Sequence, residues 1–107
     1  LTTEKSIEAF AERFMKRTED DKDKIKESYE YPRIPVEKVF ETYEYWCEEI
    51  NEIDYRTDSY RKKAMADAID VEKKPASYPG EEHRPRCYIL AKFNSAGYDL
   101  YKFVTSK

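Results

Sequence analysis

A chain of 107 residues is one small domain, large enough for a single hydrophobic core and too small for two. Its apolar runs are a few residues long, far short of the roughly 18 that a membrane-spanning helix needs, and no charged-apolar-small signal segment opens it, so a cytoplasmic protein with no membrane partner is expected. The net charge of −3 conceals a division: residues 1–55 carry 9 Lys/Arg against 16 Asp/Glu, whereas residues 56–92 carry 9 against 6, so a polyanion would meet the second half.

The chain starts on Leu1 and reads as a fragment or a processed product, which leaves room for chemistry upstream. Thr2 and Thr3 offer N-caps to a helix from about Glu4 to Arg17, with Ile7, Phe10, Ala11, Phe14 and Met15 on one apolar stripe. From Glu19 to Ser28 the sequence EDDKDKIKES is nearly all charge and reads as a linker. Residues 1–28 are therefore expected to form an N-terminal helix and charged connector, and residues 29–107 the core, all within one domain. Tyr29 to Pro35 holds two prolines, which favour an extended piece that packs Tyr31 or Ile34 on the core.

Pro35 marks the start of the main helix, Val36 to Ile50. Val36, Val39, Phe40, Tyr43, Trp46, Cys47 and Ile50 recur at steps of three and four, so they share one stripe and the glutamates lie on the other faces. After the short connection NEIDYR, Thr57 or Asp58 caps a third helix over about Ser59 to Ile69, with Tyr60, Ala64, Met65, Ala68 and Ile69 expected inward. Val71 to Lys74 is a short strand, Pro75 to Arg84 a protruding turn around Pro79 and Gly80, and Arg86 to Phe93 a half-buried strand in which Cys87, Ile89, Ala91 and Phe93 alternate with Tyr88, Leu90 and Lys92. Asn94 to Gly97 is a second turn. Tyr98 to Val104, rich in Tyr, Phe and Val, is expected as a C-terminal strand rather than a helix.

The expected fold class is α+β, a winged helix-turn-helix: three helices, a β-hairpin wing and a C-terminal strand. In such a module the third helix enters the major groove and the hairpin follows the backbone. This assigns Arg56, Ser59, Arg61, Lys62 and Lys63 to nucleic acid from the helix, and Lys73, Lys74, Tyr78, Arg84 and Arg86 from the wing. The helix N-terminus adds backbone N–H groups for one phosphate. A protein-docking winged helix carries similar surface residues and is the alternative. Ten tyrosines would suit base stacking, but Tyr43, Tyr60 and Tyr88 fall on apolar stripes and read as core; Tyr78, at the wing tip, is the exception.

Catalysis has little to work with. Glu48-Glu49 and Asp20-Asp21 are adjacent and splay onto different faces, His83 has no evident nucleophile beyond Ser77 in a turn, and only Gly80 and Gly97 are present to build a phosphate loop. Cys47 and Cys87 read as reduced core residues, and with His83 they are too few for a metal site, so no cofactor is expected in this domain.

The run IPVEKVFETYEYWCEEINEIDYRTDSYRKKAMADAID, followed by RPRCYILAKF, resembles the C-terminal domain of the primase-helicases of phages, plasmids, pathogenicity islands and poxviruses. The likeness spans about residues 34 to 93. It rests on Tyr43, Trp46 and Cys47 in a Tyr-x-x-Trp-Cys pattern, on the Ser/Thr-capped helix at Thr57 to Asp70, and on Arg84, Arg86 and Tyr88 at the closing strand. The resemblance implies a non-catalytic winged-helix module at the end of an AAA+ (superfamily III) helicase, a homo-hexamer whose upstream ATPase does the mechanical work. The acidic first helix would be the connector. Duplex or forked DNA at an origin or template is the implied partner, with replication proteins (a loader, a polymerase or a neighbouring subunit) as the alternative.

Overall fold

A computed structural model describes residues 3–17 and 32–106 of the chain. The Thr2 cap, the charged linker and Tyr31 lie outside the described residues. The elements run α1 (Thr3–Phe14), β1 (Met15–Arg17), β2 (Arg33–Pro35), α2 (Val36–Glu49), α3 (Asp58–Ala68), β3 (Lys73–Pro75), β4 (Arg86–Ile89), β5 (Ala91–Phe93) and α4 (Ser95–Thr105). The fold is α+β, with four helices and two small antiparallel sheets among the described residues.

The main helix begins at Val36, directly after Pro35, and buries Val36, Val39, Phe40, Tyr43, Trp46 and Cys47. Its cover comes first from α1, whose Phe10 and Phe14 meet Tyr43 and Trp46 in tilted and edge-on contacts: Phe10 to Tyr43 at 5.4 Å and 84°, Phe14 to Trp46 at 5.9 Å and 77°. Such pairs each add about 0.5–1.5 kcal/mol beyond the area they bury. Ile34 is also buried, as the extended segment around it required.

Both α2 and α3 end by the same device. Asn51 and Asp70 adopt left-handed φ values of 57° and 54°, and the N–H groups of Glu52 and Val71 reach back to the carbonyls of Cys47 and Ala66. This satisfies carbonyls a helix end would leave bare, and Asn and Asp tolerate the left-handed conformation better than most side chains.

The central sheet has the order β2-β4-β3, with Ile34 opposite Tyr88 and Lys73 opposite Tyr88 from the other side. Helices α2 and α3 fill the connection from β2 to β3, and residues 76–85 close the hairpin between β3 and β4. The expected strand from Arg86 to Phe93 is divided at Leu90, whose φ of 61° redirects the chain so that β5 pairs with β1 in a second sheet. Nor is it half-buried: Cys87, Tyr88, Ile89, Leu90 and Ala91 are all buried, because Tyr88 joins the main core while Cys87, Ile89 and Leu90 pack with Ala76 in a second cluster.

Three further expectations are corrected. The first helix stops at Phe14, and Met15–Arg17 becomes β1. On α3, Met65 and Ile69 are buried and Ala64 packs on the core as expected, with Thr57 capping the helix by accepting the Tyr60 N–H at 3.2 Å; Tyr60, 58% exposed, and Ala68 face out instead, while Ala66 is buried and Arg61 turns inward. The C-terminal segment is helix α4, not a strand. Asn94 caps it by accepting the Gly97 N–H at 2.9 Å and donates to the Arg13 carbonyl at 2.8 Å, and Leu100 and Tyr101 then pack on the core. Tertiary cover outweighs the strand preference of Tyr, Phe and Val.

Gly97 lets α4 approach. A Cβ there would collide with the Phe14 carbonyl oxygen and press on the Phe93 ring. Gly97→Ala is expected to lower unfolding free energy by about 1–3 kcal/mol in urea titration, the usual cost of overpacking against backbone.

Candidate nucleic-acid interface

The ten candidate side chains divide between α3 and the hairpin, and one hydrogen bond joins the two elements. The buried Tyr88 hydroxyl, in the middle of β4, donates to the Lys62 carbonyl on α3 at 2.8 Å. The first half of α3 and the hairpin are therefore neighbours. Alternation along β4 and the register with β3 place Arg86 and Lys73 on the Tyr88 face and Lys74 on the opposite, Cys87 face.

Of the cations assigned to the α3 side, Arg56, just before the helix, and Arg61 within it are engaged at home. Asp54 grips Arg56 with both oxygens, Nε to Oδ1 at 2.8 Å and Nη2 to Oδ2 at 2.7 Å, and also accepts the Arg56 backbone N–H. Arg61 pairs with Asp58 in the first turn of its own helix and with Glu44 of α2 at 3.4 Å, and its guanidinium lies 5.7 Å from the centre of the Phe40 ring. Its side chain is only 13% exposed, and its Nε has no acceptor among the described residues. Lys62 lines a groove with Glu37, Glu41 and Glu44. Ser59 and Lys63 are exposed. At the helix N-terminus Thr57 already satisfies the Tyr60 N–H, and the exposed Asp58 carboxylate stands where an incoming phosphate would approach.

The hairpin differs. Lys73 and Lys74 are partly exposed and Arg84 and Arg86 exposed, and none of the four is held in an ion pair among the described residues. Tyr78 is not a free tip: its ring lies 5.6 Å from Lys38 Nζ, and Lys38 donates to the Tyr101 hydroxyl at 2.7 Å. The preceding residue is held as well, since Arg33 donates from Nε to the Ser77 carbonyl and from Nη2 to Ser77 Oγ at 3.4 Å. Arg33 and Lys38, which anchor the first half of the loop, carried no signal in the sequence beyond being cations near β2.

Asp54 is the other residue the sequence reading missed. Its side chain is 2% exposed and accepts from the Tyr43 hydroxyl at 2.7 Å as well as from Arg56. An ionised carboxylate only accepts, so Tyr43 donates to it, and Ser6 on α1 in turn donates to Tyr43 at 2.8 Å. Burial pushes the Asp54 carboxyl up, but the hydrogen bonds from Arg56 and Tyr43 outweigh it and bring it down to about 2. Burial raises the Tyr43 phenol well above its ordinary range.

Among the described residues no group of His, Cys, Asp and Glu side chains could hold a metal ion, no helix is long and apolar enough to cross a membrane, and both cysteines are buried free thiols. Comparison of the chain with protein-family models, with curated proteins and with solved structures gives no match.

A carboxyl held below its unfolded value stabilises the fold above about pH 4 and loses that contribution as the pH falls toward 2. Asp54→Asn, which cannot ionise, is expected to destabilise the domain at neutral pH and to flatten the fall in unfolding free energy between about pH 4 and 2, as followed by urea titration at each pH.

Proposed function

We propose that the domain is a winged helix that binds DNA, as the C-terminal module of a mobile-element or viral replication primase-helicase, and that it does so mainly through the β3–β4 hairpin. The observation that carries this reading is the hairpin itself: Lys73, Lys74, Arg84 and Arg86 stand on one element, Lys73 and Arg86 on one face of it and Lys74 on the other, free of carboxylate partners among the described residues. The sheet order β2-β4-β3, with two helices between β2 and β3, supports a winged-helix assignment. The residues behind the family resemblance support it in a particular way. Tyr43, Trp46 and Cys47 are all core residues, so they argue for a shared fold and leave the contacts to be read from charge.

On this reading α3 positions the hairpin more than it reads bases. Arg56 and Arg61 would have to leave Asp54, Asp58 and Glu44 before reaching a phosphate, and stripping a part-buried ion pair leaves an uncompensated charge. Lys63 is the α3 cation placed to assist. Contacts of this kind bind backbone and carry little sequence information.

Fluorescence anisotropy with labelled duplex, forked and single-stranded DNA tests the reading. Four or five phosphate contacts give a log–log slope of affinity against salt of about −4. The Lys73→Glu, Lys74→Glu, Arg86→Glu variant is expected to lose at least about tenfold in affinity at low salt while unfolding like the wild type. Binding that ignores salt, or survives this variant unchanged, overturns the proposal.

A further inference from the structure

The loop at the end of the hairpin is built by local turn chemistry and then tied down from outside. Its neck closes where the Ala76 N–H donates to the Pro85 carbonyl at 3.0 Å. Beyond it Tyr78, Pro79, Gly80 and Glu81 make a tight turn: the Glu81 N–H donates to the Tyr78 carbonyl at 3.1 Å, Gly80 supplies the left-handed φ of 87°, and a proline just before it suits the same turn type. Two cations from the scaffold hold the first half. Arg33 of β2 donates to the carbonyl and the hydroxyl of Ser77. Lys38 of α2 reaches further: its ammonium donates to the Tyr101 hydroxyl of α4 at 2.7 Å and stands 5.1 Å from the centre of that ring and 5.6 Å from the centre of the Tyr78 ring. An ammonium within about 6 Å of an aromatic ring is attracted to its face. One half-buried lysine therefore joins α2, α4 and the loop. The hydrogen bond to Tyr101 also raises the Lys38 pKa above the ordinary lysine value, so the cation persists at neutral pH.

We infer that Lys38 is a positioning residue for the hairpin: by spanning Tyr101 and Tyr78 it fixes the loop that carries Arg84, and so couples the seating of α4 to the grip of the hairpin on DNA. This role rests on the hairpin being the DNA-binding element. Lys73, Lys74 and Arg86 are kept in place by the strand ladder, whereas Arg84 lies in the loop and keeps its place only if the loop does. A loop ordered before binding spares the complex the entropy of ordering it afterwards. The Lys38 ammonium is already engaged by a hydroxyl and two rings, so it acts through the loop and not on a phosphate. Gly97 and the Asn94 cap serve the same end, since they seat α4 and with it the Tyr101 hydroxyl.

The test uses the whole chain and labelled duplex DNA in fluorescence anisotropy over a salt series, with thermal unfolding to check that each variant is folded. Tyr101→Phe keeps every charge and both rings and removes only the acceptor. It is expected to weaken binding by about three- to tenfold with the salt slope unchanged, as the loss of loop order does. Lys38→Met weakens binding at least as much, again with little change of slope, and Lys38→Arg, which keeps a cation between the rings, recovers most of the loss. Arg84→Ala removes a phosphate contact and lowers the slope by about 0.9. In the Arg84→Ala background Tyr101→Phe has little further effect, because both act through one contact. A direct bond from Lys38 to phosphate gives opposite signs: Lys38→Met then lowers the slope, and Tyr101→Phe, which frees the ammonium, tightens binding. Either result overturns the role assigned to Lys38, as does an effect of Tyr101→Phe that is undiminished beside Arg84→Ala. No salt-dependent binding by the wild type sinks the DNA reading and this role with it, whereas wild-type binding that Tyr101→Phe and Lys38→Met leave intact sinks the role alone.

Discussion

Tyr43 is where the apolar and polar halves of this fold meet. Its ring sits in the aromatic cluster of Phe10, Phe40 and Trp46, and its hydroxyl bridges Ser6 of α1 to Asp54 beyond the end of α2. Because Asp54 also grips Arg56, a single buried phenol fixes the separation of α1 from α2 and the path of the chain into α3. The arrangement tolerates little loss: a buried donor or acceptor left without its partner costs about 1–3 kcal/mol, more when the group is charged. The phase of α3, and through the Tyr88–Lys62 hydrogen bond the seat of the hairpin, follow from where that network lets the chain turn.

The distribution of charge follows from the same geometry. A chain that is 40% charged cannot keep every ion in water once it folds, and the cations nearest the core are the ones paired: Arg56 with Asp54, Arg61 with Asp58 and Glu44. Arginine suits these positions, since its guanidinium takes a carboxylate bidentately and still lies flat on a ring, as Arg56 does over Tyr60 and Arg61 over Phe40. Among the described residues, Lys73, Lys74, Arg84 and Arg86 of the hairpin and Lys63 of α3 take part in no pair of this kind. Four cations thus stand on the hairpin, while the glutamates of α2 share a groove with Arg61 and Lys62 of α3.

Much of the architecture was legible in the sequence where a strong stripe met a clear punctuation mark. Pro35 and the steps from Val36 to Cys47 gave α2 to the residue at its start, and Thr57 marked the head of α3. Failures came where a local preference competed with tertiary cover. The aromatic run from Tyr98 to Val104 favours a strand on composition, and only the Asn94 cap three residues before Gly97 signals the helix. On α3 a search for apolar residues selected Tyr60 for the interior, whereas Arg61, held by Glu44 and against Phe40 of α2, is the one turned inward and Tyr60 stays out. The candidate site was legible as a list of cations and not as a surface, because the spacings Asp54-x-Arg56 and Asp58-x-x-Arg61 disclose an ion pair only once the turn and the helix are built.

The residues that resemble a known family and the residues that could touch a partner are almost disjoint in this molecule. Tyr43, Trp46 and Cys47 are enclosed, and their constraints are volume, ring geometry and one hydroxyl; Lys73, Lys74 and Arg86 face water and are constrained by sign alone. Two proteins can then share the first set through a common fold while differing freely in the second, so the core pattern is silent on which macromolecule is bound. What does discriminate is the opposition of sign. On the proposed reading the hairpin cations would attract a phosphate backbone, and the α2 glutamates, which share a groove with Arg61 and Lys62, would oppose it.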